Sequence, residues 1–268
     1  MLSFASICPH PPIIIPTIGS PNDLNKIRKT TKGMEKLGRE IEKVKPETLI
    51  LISPHGPVGF SEMGLIKSEK LFGNLSMFGD FKTNFSFEND EDLCYKIVTG
   101  TKKAKVPLRI YNKPDLDHGC LVPLYYLTKN FKPKIVPMAY SLLDNSAHLL
   151  LGKILAKIAK EEKKRIGLVA SGDLSHRLLP NAPAGYSPRG EEFDEKLIEL
   201  LKEKNIDGIL NMNEGLIEEA GECGYKSIVI LLGALSELNA GNWKLKVFSY
   251  EGPFGVGYLV ANVEGLVV

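Results

Sequence analysis

The sequence lacks paired cysteines, long apolar runs and an excess of one charge. Its four cysteines form no CxxC pair and have no dense spacing, which argues against a zinc ribbon or a disulfide framework. No apolar run approaches the roughly 20 residues that cross a bilayer, and the apolar N-terminal segment lacks a preceding basic region. We therefore expect a cytoplasmic protein with free, buried thiols and no membrane partner.

Several common nucleotide-binding and hydrolase motifs are also missing. The sequence contains no Walker A segment, no G-x-S-x-G elbow and no G-x-G-x-x-G between a strand and a helix, which disfavours P-loop enzymes, α/β-hydrolases and dinucleotide-binding enzymes. The net charge is only +2, from 34 basic and 32 acidic residues. We expect a small molecule or another protein as partner, and no nucleic acid.

What the sequence does contain is an alternation of apolar runs and amphipathic segments. "LSFASI", "TLILIS" and "RIGLVA" are typical of buried strands. The pattern predicts an α/β fold with a mixed central sheet, helices on both faces and an active site at the C-terminal ends of the strands. Since no linker or internal repeat is visible, we predict a single domain over residues 1–268.

Two segments carry more specific structural expectations. After the first strand, the spacing predicts one helix capped by Asn22 or Asp23, with Ile27, Met34, Leu37 and Ile41 on its inner face. Residues 59–89 are rich in Phe, Gly and Ser, which predicts hairpins or loops that leave the main layer and form a wall or lid of a site.

Four of the five histidines follow predicted strands. They occur in the segments "CPHPP" (His10), "SPHGP" (His55), "DLDHGC" (His118) and "SGDLSH" (His176). Side chains at the carboxyl ends of several strands converge on one cleft, so we expect these imidazoles to share a site. The fifth, His148, begins a charged amphipathic helix and is expected to have an ordinary surface or partly buried role.

Imidazole suits either metal binding or proton transfer near neutral pH. Two histidines and one carboxylate form the facial triad of non-haem Fe(II) oxygenases. His10 and His55 follow the first two strands and are the candidate ligands, which leaves His118 and His176 as acid and base. We expect Tyr126 and Tyr186 to line an aromatic substrate pocket.

The third ligand is expected in "EEAGECGYKS", before an apolar helix. Glu222 lies between Gly221 and Cys223 and is the candidate carboxylate, although a carboxylate there also suits a helix N-terminus. Cys223 is the alternative, and a thiolate beside two histidines would suit zinc or copper better than an iron oxygenase.

In their order along the chain, "CPHPP", "LILISPHGP", "DHG", "ASGDLSH" and "EAGECGYKSIVILLGAL" resemble the class III extradiol ring-cleavage dioxygenase family, in its LigB-type catalytic subunit. The arrangement is also similar to the related Memo proteins. The resemblance implies a mononuclear non-haem Fe(II) enzyme that opens a catechol-type ring with O2, with zinc as the alternative metal in the purified protein. It also implies self-association into a homo-oligomer.

By motif, the resemblance assigns His10 and His55 to the metal and His176 to the base that takes a catechol proton. It makes His118 a substrate- or oxygen-facing residue. The acidic ligand of the family falls near Glu222, where Memo-like relatives carry a cysteine. Glu222 as third ligand would therefore indicate the dioxygenase type of site, and Cys223 the Memo-like type.

Two other functions compete with ring cleavage. One is a zinc-dependent hydrolase on the same scaffold, and the other is a Memo-like metal- or peptide-binding protein without ring-cleaving activity. The presence of His176 after "SGDLS" favours an enzyme, because a pure binder needs no proton acceptor beside its metal.

Overall fold

A computed structural model of the protein describes residues 1–238 and 243–266. Within these ranges it contains ten strands and nine α-helices. The strands are β1 (Leu2–Cys8), β2 (Thr48–Ser53), β3 (Met63–Ile66), β4 (Lys70–Leu75), β5 (Asp80–Glu88), β6 (Leu108–Tyr111), β7 (Lys134–Ala139), β8 (Ile166–Ser171), β9 (Lys244–Glu251) and β10 (Tyr258–Glu264). The helices are α1 (Pro21–Lys26), α2 (Arg28–Val44), α3 (Glu91–Lys103), α4 (His118–Leu127), α5 (Asn145–Glu161), α6 (Arg189–Glu203), α7 (Ile206–Leu210), α8 (Glu214–Ala220) and α9 (Tyr225–Glu237).

Eight strands form one mixed sheet in the order β6-β3-β7-β2-β8-β1-β10-β9. The central strands β7, β2, β8 and β1 are parallel to their neighbours in this group. Antiparallel pairs join β3 to β7, β10 to β1 and β9 to β10. The carboxyl ends of β1, β2 and β8 therefore lie at the same edge of the sheet.

The central strands are buried on both faces, which explains their nearly continuous apolar sequences. In β2, Ile50 and Ile52 belong to one core cluster, whereas Leu49 and Leu51 belong to the other. The first cluster includes side chains of α3, α5, α6 and α9, and the second includes side chains of α2 and α4. The predicted fold class, a mixed sheet with helices on both faces, is confirmed. That one domain accounts for all of residues 1–268 stays a prediction.

The predicted first helix is in fact two helices. Ile27 (φ −101°, ψ 25°) ends α1 and begins α2. The cap is Ser20, whose hydroxyl accepts the Asp23 N–H while the Asp23 carboxylate accepts the Ser20 N–H, so the expectation of Asn22 or Asp23 as cap was wrong. The apolar spacing was correct, since the four predicted inner-face residues, Ile27, Met34, Leu37 and Ile41, are fully buried.

Residues 59–89 divide between the main sheet and a separate hairpin. β4 and β5 pair as a two-stranded antiparallel sheet off the main layer, as expected. β3, by contrast, inserts between β6 and β7 in the large sheet. Its short sequence, MGLI, is fully buried but has no alternation that distinguishes it from a loop.

The pattern did not predict α7 and α8, which are only 5 and 7 residues long. The apolar spacing of "YKSIVILLGALSELN" predicts the helix observed as α9. The last residue of that segment, Asn239, lies outside the described residues. In the part of the chain that the structure describes, no helix has the length and apolarity needed to cross a membrane.

Candidate metal centre

The site lies where β1, β2 and β8 end. Cys8 of β1 is paired with Ser171 of β8, and Ile52 of β2 with Ala170 of β8. These strands therefore finish at the same level. Because His10 and His55 each lie two residues beyond their strands, the sheet register alone brings the two imidazoles to one place.

His10, His55 and Cys223 form a compact group of ligand atoms. Their ligand atoms all lie within 4.8 Å of one another. The Nε2 atoms of the two histidines are 3.0 Å apart, and the Cys223 Sγ is 3.7 Å from the His10 Nε2. His10 is buried, Cys223 is 9% exposed and His55 is exposed. The group is thus open to solvent on the His55 side.

Hydrogen bonding fixes the tautomer of His10. The Ser171 hydroxyl donates its proton to the Gly119 carbonyl at 2.6 Å. It therefore accepts from the His10 Nδ1–H, which lies 2.9 Å away. The neutral ring then carries its lone pair on Nε2, the atom that faces His55 and Cys223.

The imidazoles are neutral near pH 7. Burial lowers the pKa of His10 well below its usual value, and the neighbouring histidines lower it further. Burial also lowers the pKa of His55 and His176, and it lowers that of His118 to about 4. Neutral imidazoles are the form that binds metals and accepts protons.

A close backbone contact places Cys223 beside His10. The Asp173 carbonyl accepts the N–H groups of Cys223 and Gly224, at 3.2 and 2.9 Å. The Asp173 N–H in turn donates to the Cys223 Sγ at 3.3 Å. A Cβ on Gly172 would collide with the Gly224 backbone, so only glycine permits the turn after β8 to approach the start of α9 this closely.

Glu222, the candidate carboxylate ligand, faces elsewhere. Its Oε2 accepts the Tyr225 N–H at 2.5 Å, which is the contact of a carboxylate at a helix N-terminus. Burial raises its pKa to about 7. Among the described residues, the group of candidate metal-binding side chains includes Cys223 and not Glu222.

His176 lies beside the group. Its Nε2 is 3.7 Å from the Cys223 Sγ, and its backbone N–H donates to the Ala220 carbonyl at 3.0 Å. The loop that follows is held to the body, since the Leu178 N–H donates to the Gly255 carbonyl at 3.0 Å. The structure therefore brings His176 to the same cleft as His10 and His55.

His118, the first residue of α4, lies against His55 and near His10. Its ring stacks on His55 with centroids 4.1 Å apart and lies 5.5 Å from the His10 ring. Asp117 caps α4, and its Oδ1 accepts the Ser53 hydroxyl at 2.5 Å. This contact ties the start of α4 to the end of β2, which explains the stacking.

The other sequence candidates lie away from this group. Tyr126 is 4% exposed in the core, and its hydroxyl donates to the Ile14 carbonyl. Tyr186 is 58% exposed on the loop after His176. His148 is fully buried, with Nδ1 donating to the Asp144 carbonyl at 2.7 Å and Nε2 accepting the Ser141 N–H at 3.2 Å. Tyr126 and His148 are thus hydrogen-bonded in the core, and Tyr186 is exposed to solvent. No contact described for the three residues involves the metal-binding group.

Two residues of the site were not predicted from the sequence. Ser171 fixes the His10 tautomer, and its signal was a lone polar residue at the end of an otherwise apolar strand. Phe78, at the tip of the β4–β5 hairpin, packs 5.1 Å from the His118 ring. The sequence predicts that residues 59–89 form a wall or lid of a site, but which side chain contacts the histidines depends on how the hairpin docks.

The donor set fits one divalent metal ion. With metal–nitrogen bonds of about 2.0–2.1 Å and metal–sulfur bonds of about 2.3 Å, two ligand atoms of one ion lie roughly 3–4 Å apart. The separations of the His10 Nε2 from the other two ligand atoms, 3.0 and 3.7 Å, have that size, and all three atoms lie within 4.8 Å of one another. Because the third donor is a thiol, the set fits zinc or copper at least as well as iron.

The chain is similar to a known family of proteins. The family described as the catalytic LigB subunit of aromatic ring-opening dioxygenase matches residues 4–261. Protein CA_C1420 of Clostridium acetobutylicum is 35% identical over 268 residues, covering 96% of this chain and 56% of that protein. The chain therefore spans little more than half the length of that relative.

Other relatives are named either as dioxygenase subunits or as MEMO1 family proteins. The 2-aminophenol 1,6-dioxygenase beta subunit of a Pseudomonas species is 25% identical over 244 residues, 80% of this chain and 78% of that protein. A MEMO1 family protein of Methanocaldococcus jannaschii is 32% identical over 145 residues, 50% of this chain and 45% of that protein.

A solved structure shares the fold. The crystal structure of the uncharacterized protein JW3007 from Escherichia coli K12 superposes with a TM-score of 0.70 at 19% identity, covering 98% of this chain and 99% of that one. The family match extends over nearly all of the chain. The chain therefore belongs to the family of the catalytic LigB subunit of aromatic ring-opening dioxygenases.

Proposed function

We propose that this chain is a metal-dependent ring-cleavage dioxygenase that acts on a small aromatic diol with O2. The observation that carries the proposal is the group of His10, His55 and Cys223 with His176 beside it, at the strand ends of a fold that belongs to a dioxygenase family. In this proposal the three residues hold one ion, and Fe(II) is the working metal.

The ion would polarise the hydroxyl oxygens of a bound diol and supply the redox chemistry with O2. The protein supplies position and protons. His176 is neutral because burial lowers its pKa, so it can accept a proton from a diol hydroxyl. Positioned proton transfer of this kind contributes about 10²- to 10⁴-fold in rate.

His118 would face the ring. It is neutral, stacks on His55 and makes an edge contact with Phe78. Its neutral ring can donate one hydrogen bond to the substrate without adding charge to the cleft. The exposed side of His55 leaves the approach to the ion open.

The thiol supports a second candidate, a zinc-dependent hydrolase or a Memo-like metal-binding protein. Thiolate and imidazole together are typical zinc ligands, and the carboxylate of Glu222 is engaged with the Tyr225 N–H. The two candidates share the ligand set and differ in the metal and in the reaction.

The test loads metal-free protein with Fe(II) or Zn(II) under anaerobic conditions and then adds O2 and a panel of catechols. Ring cleavage predicts O2 consumption and a yellow product with Fe(II) only, both reduced in the His176→Gln variant. If the Fe(II) protein consumes no O2 on any catechol and the Zn(II) protein hydrolyses ester or amide probes, the second candidate replaces the first.

A further inference from the structure

Phe78 forms an aromatic wall against the histidines. Its ring centroid lies 5.1 Å from that of His118 at an angle of 61°. Phe78 remains 37% exposed, so it contacts His118 without being buried. Such a ring can pack against a bound aromatic molecule.

The hairpin tip that carries Phe78 is held in place. Phe78 ends a short 3-10 helix, Ser76–Phe78, which Gly79 (φ +94°) terminates. Asp80 accepts the N–H groups of Lys82 and Thr83, at 2.9 and 3.0 Å. Its other oxygen accepts the Thr17 hydroxyl at 2.6 Å, which ties the tip to the loop after β1. Phe78 is therefore a fixed wall.

The charges around the site do not favour an anionic substrate. Asp117 is the acidic group that acts on the pKa of His55 and His118. Asp173 adds a second acidic group, since its Oδ1 accepts the His10 N–H at 3.0 Å and its Oδ2 lies 4.0 Å from the His10 Nε2. Arg177, next to His176, donates to the Glu219 carbonyl at 3.3 Å. Acidic groups this close to the imidazoles disfavour a substrate carboxylate in the cleft.

The hairpin tip carries a second apolar side chain. Met77, the neighbour of Phe78, is 92% exposed. An exposed apolar side chain beside the Phe78 ring can pack against an apolar substituent of a bound aromatic molecule.

From these observations we infer that Phe78 binds the substrate by packing on its aromatic ring, and that the site prefers uncharged aromatic diols with an apolar substituent over carboxylated ones. This inference rests on the proposed function and specifies its substrate class. It makes Phe78 a binding residue with no part in proton transfer.

The test measures binding without turnover. Zn(II)-loaded protein is titrated calorimetrically, without O2, with two catechols of similar size, 4-propylcatechol and 3,4-dihydroxyphenylacetate. Wild type is expected to bind 4-propylcatechol at least about tenfold more tightly. Phe78→Ala should raise the Kd of both catechols roughly 5- to 20-fold, because the ring on which Phe78 packs is common to them.

Variants of the same hairpin serve as controls. Phe81 is 80% exposed, and Phe81→Ala should leave both Kd values unchanged. Phe78→Tyr keeps the ring and should restore tight binding. Metal content and melting temperature, measured for each variant, show that the fold and the metal site are intact, and Phe78→Leu replaces Phe78→Ala if the latter unfolds.

The outcomes separate the two proposals. If the protein binds both catechols and Phe78→Ala or Phe78→Leu binds 4-propylcatechol as wild type does, the role of Phe78 is wrong and the proposed function stands. Tighter wild-type binding of 3,4-dihydroxyphenylacetate overturns the substrate preference. If metal-loaded wild type binds neither catechol, the proposed function fails, and the inference with it.

Discussion

The Ser171 hydroxyl lies 2.9 Å from the Nδ1 of His10 and donates its own proton to the Gly119 carbonyl. It therefore presents an acceptor to His10 and holds the ring in the tautomer that leaves Nε2 free. Partners of this kind, behind the ligands of a metal, typically account for about 10- to 100-fold in metal affinity. The contact is a direct consequence of the β1–β8 register, which pairs Cys8 with Ser171.

Ser171→Ala should consequently weaken Zn(II) binding about 10- to 100-fold, measured by competition with a chromophoric chelator. Ser227→Ala is the matched control, because Ser227 is also buried and its hydroxyl has no hydrogen-bond partner among the described residues. Equal affinities in the two variants would show that the tautomer of His10 is not fixed by Ser171.

Cys223→Ser and Glu222→Gln distinguish the two candidate third ligands. Because the Cys223 Sγ lies near His10 and the Glu222 carboxylate accepts the Tyr225 N–H, Cys223→Ser should lose most of the bound metal. Glu222→Gln should retain about one ion per chain and lower the free energy of unfolding by about 1 kcal/mol. Metal analysis and urea unfolding measure both effects, and the opposite pattern would restore the carboxylate as ligand.

Gly172→Ala should damage both stability and metal binding. The new Cβ would collide with the backbone of Gly224, so the turn that carries Cys223 must move. We expect a loss of about 2–3 kcal/mol in the free energy of unfolding together with weaker metal binding.

Gly185→Ala controls for this change, because Gly185 has a φ of +84° and no heavy atom within 4 Å of an added Cβ. It should cost only the backbone strain of roughly 1 kcal/mol and leave metal binding intact. If Gly172→Ala behaves like Gly185→Ala, the close approach to Gly224 does not position Cys223.

His148 should make the protein sensitive to acid. Burial lowers its pKa to about 4, whereas an unfolded histidine titrates near about 6.5. Between these values the unfolded chain binds a proton that the folded chain does not, so stability is present above the unfolded pKa and is lost as the pH falls.

The measurement is urea unfolding of metal-free protein at pH 7 and pH 5. Wild type should lose about 2 kcal/mol more than His148→Gln across this interval, because the other histidines are common to both proteins. Equal losses would mean that His148 is protonated in the folded state.

Much of this fold was predictable from local pattern. The apolar runs of β1, β2 and β8 and the inner face of α2 follow from residue spacing, and the positions of His10 and His55 follow from where two strands end. Parallel strands then bring these side chains together without further information.

The third ligand could not be predicted in the same way. Glu222 and Cys223 are adjacent and precede the same helix, so spacing cannot separate them. Gly221 (φ +62°) and the contact between Gly172 and Gly224 decide which side chain faces His10. Both are tertiary features. Phe78 likewise depends on the docking of a hairpin through Asp80 and Thr17, residues 63 positions apart.

The central claim is that His10, His55 and Cys223 hold one metal ion. X-ray absorption at the metal edge of Zn(II)-loaded protein tests it most directly, since sulfur and nitrogen scatterers differ in distance, about 2.3 Å against about 2.0–2.1 Å. We predict one sulfur and two imidazole nitrogens per metal, with the sulfur absent in Cys223→Ser. A shell of nitrogen and oxygen alone in the wild-type protein would contradict the account.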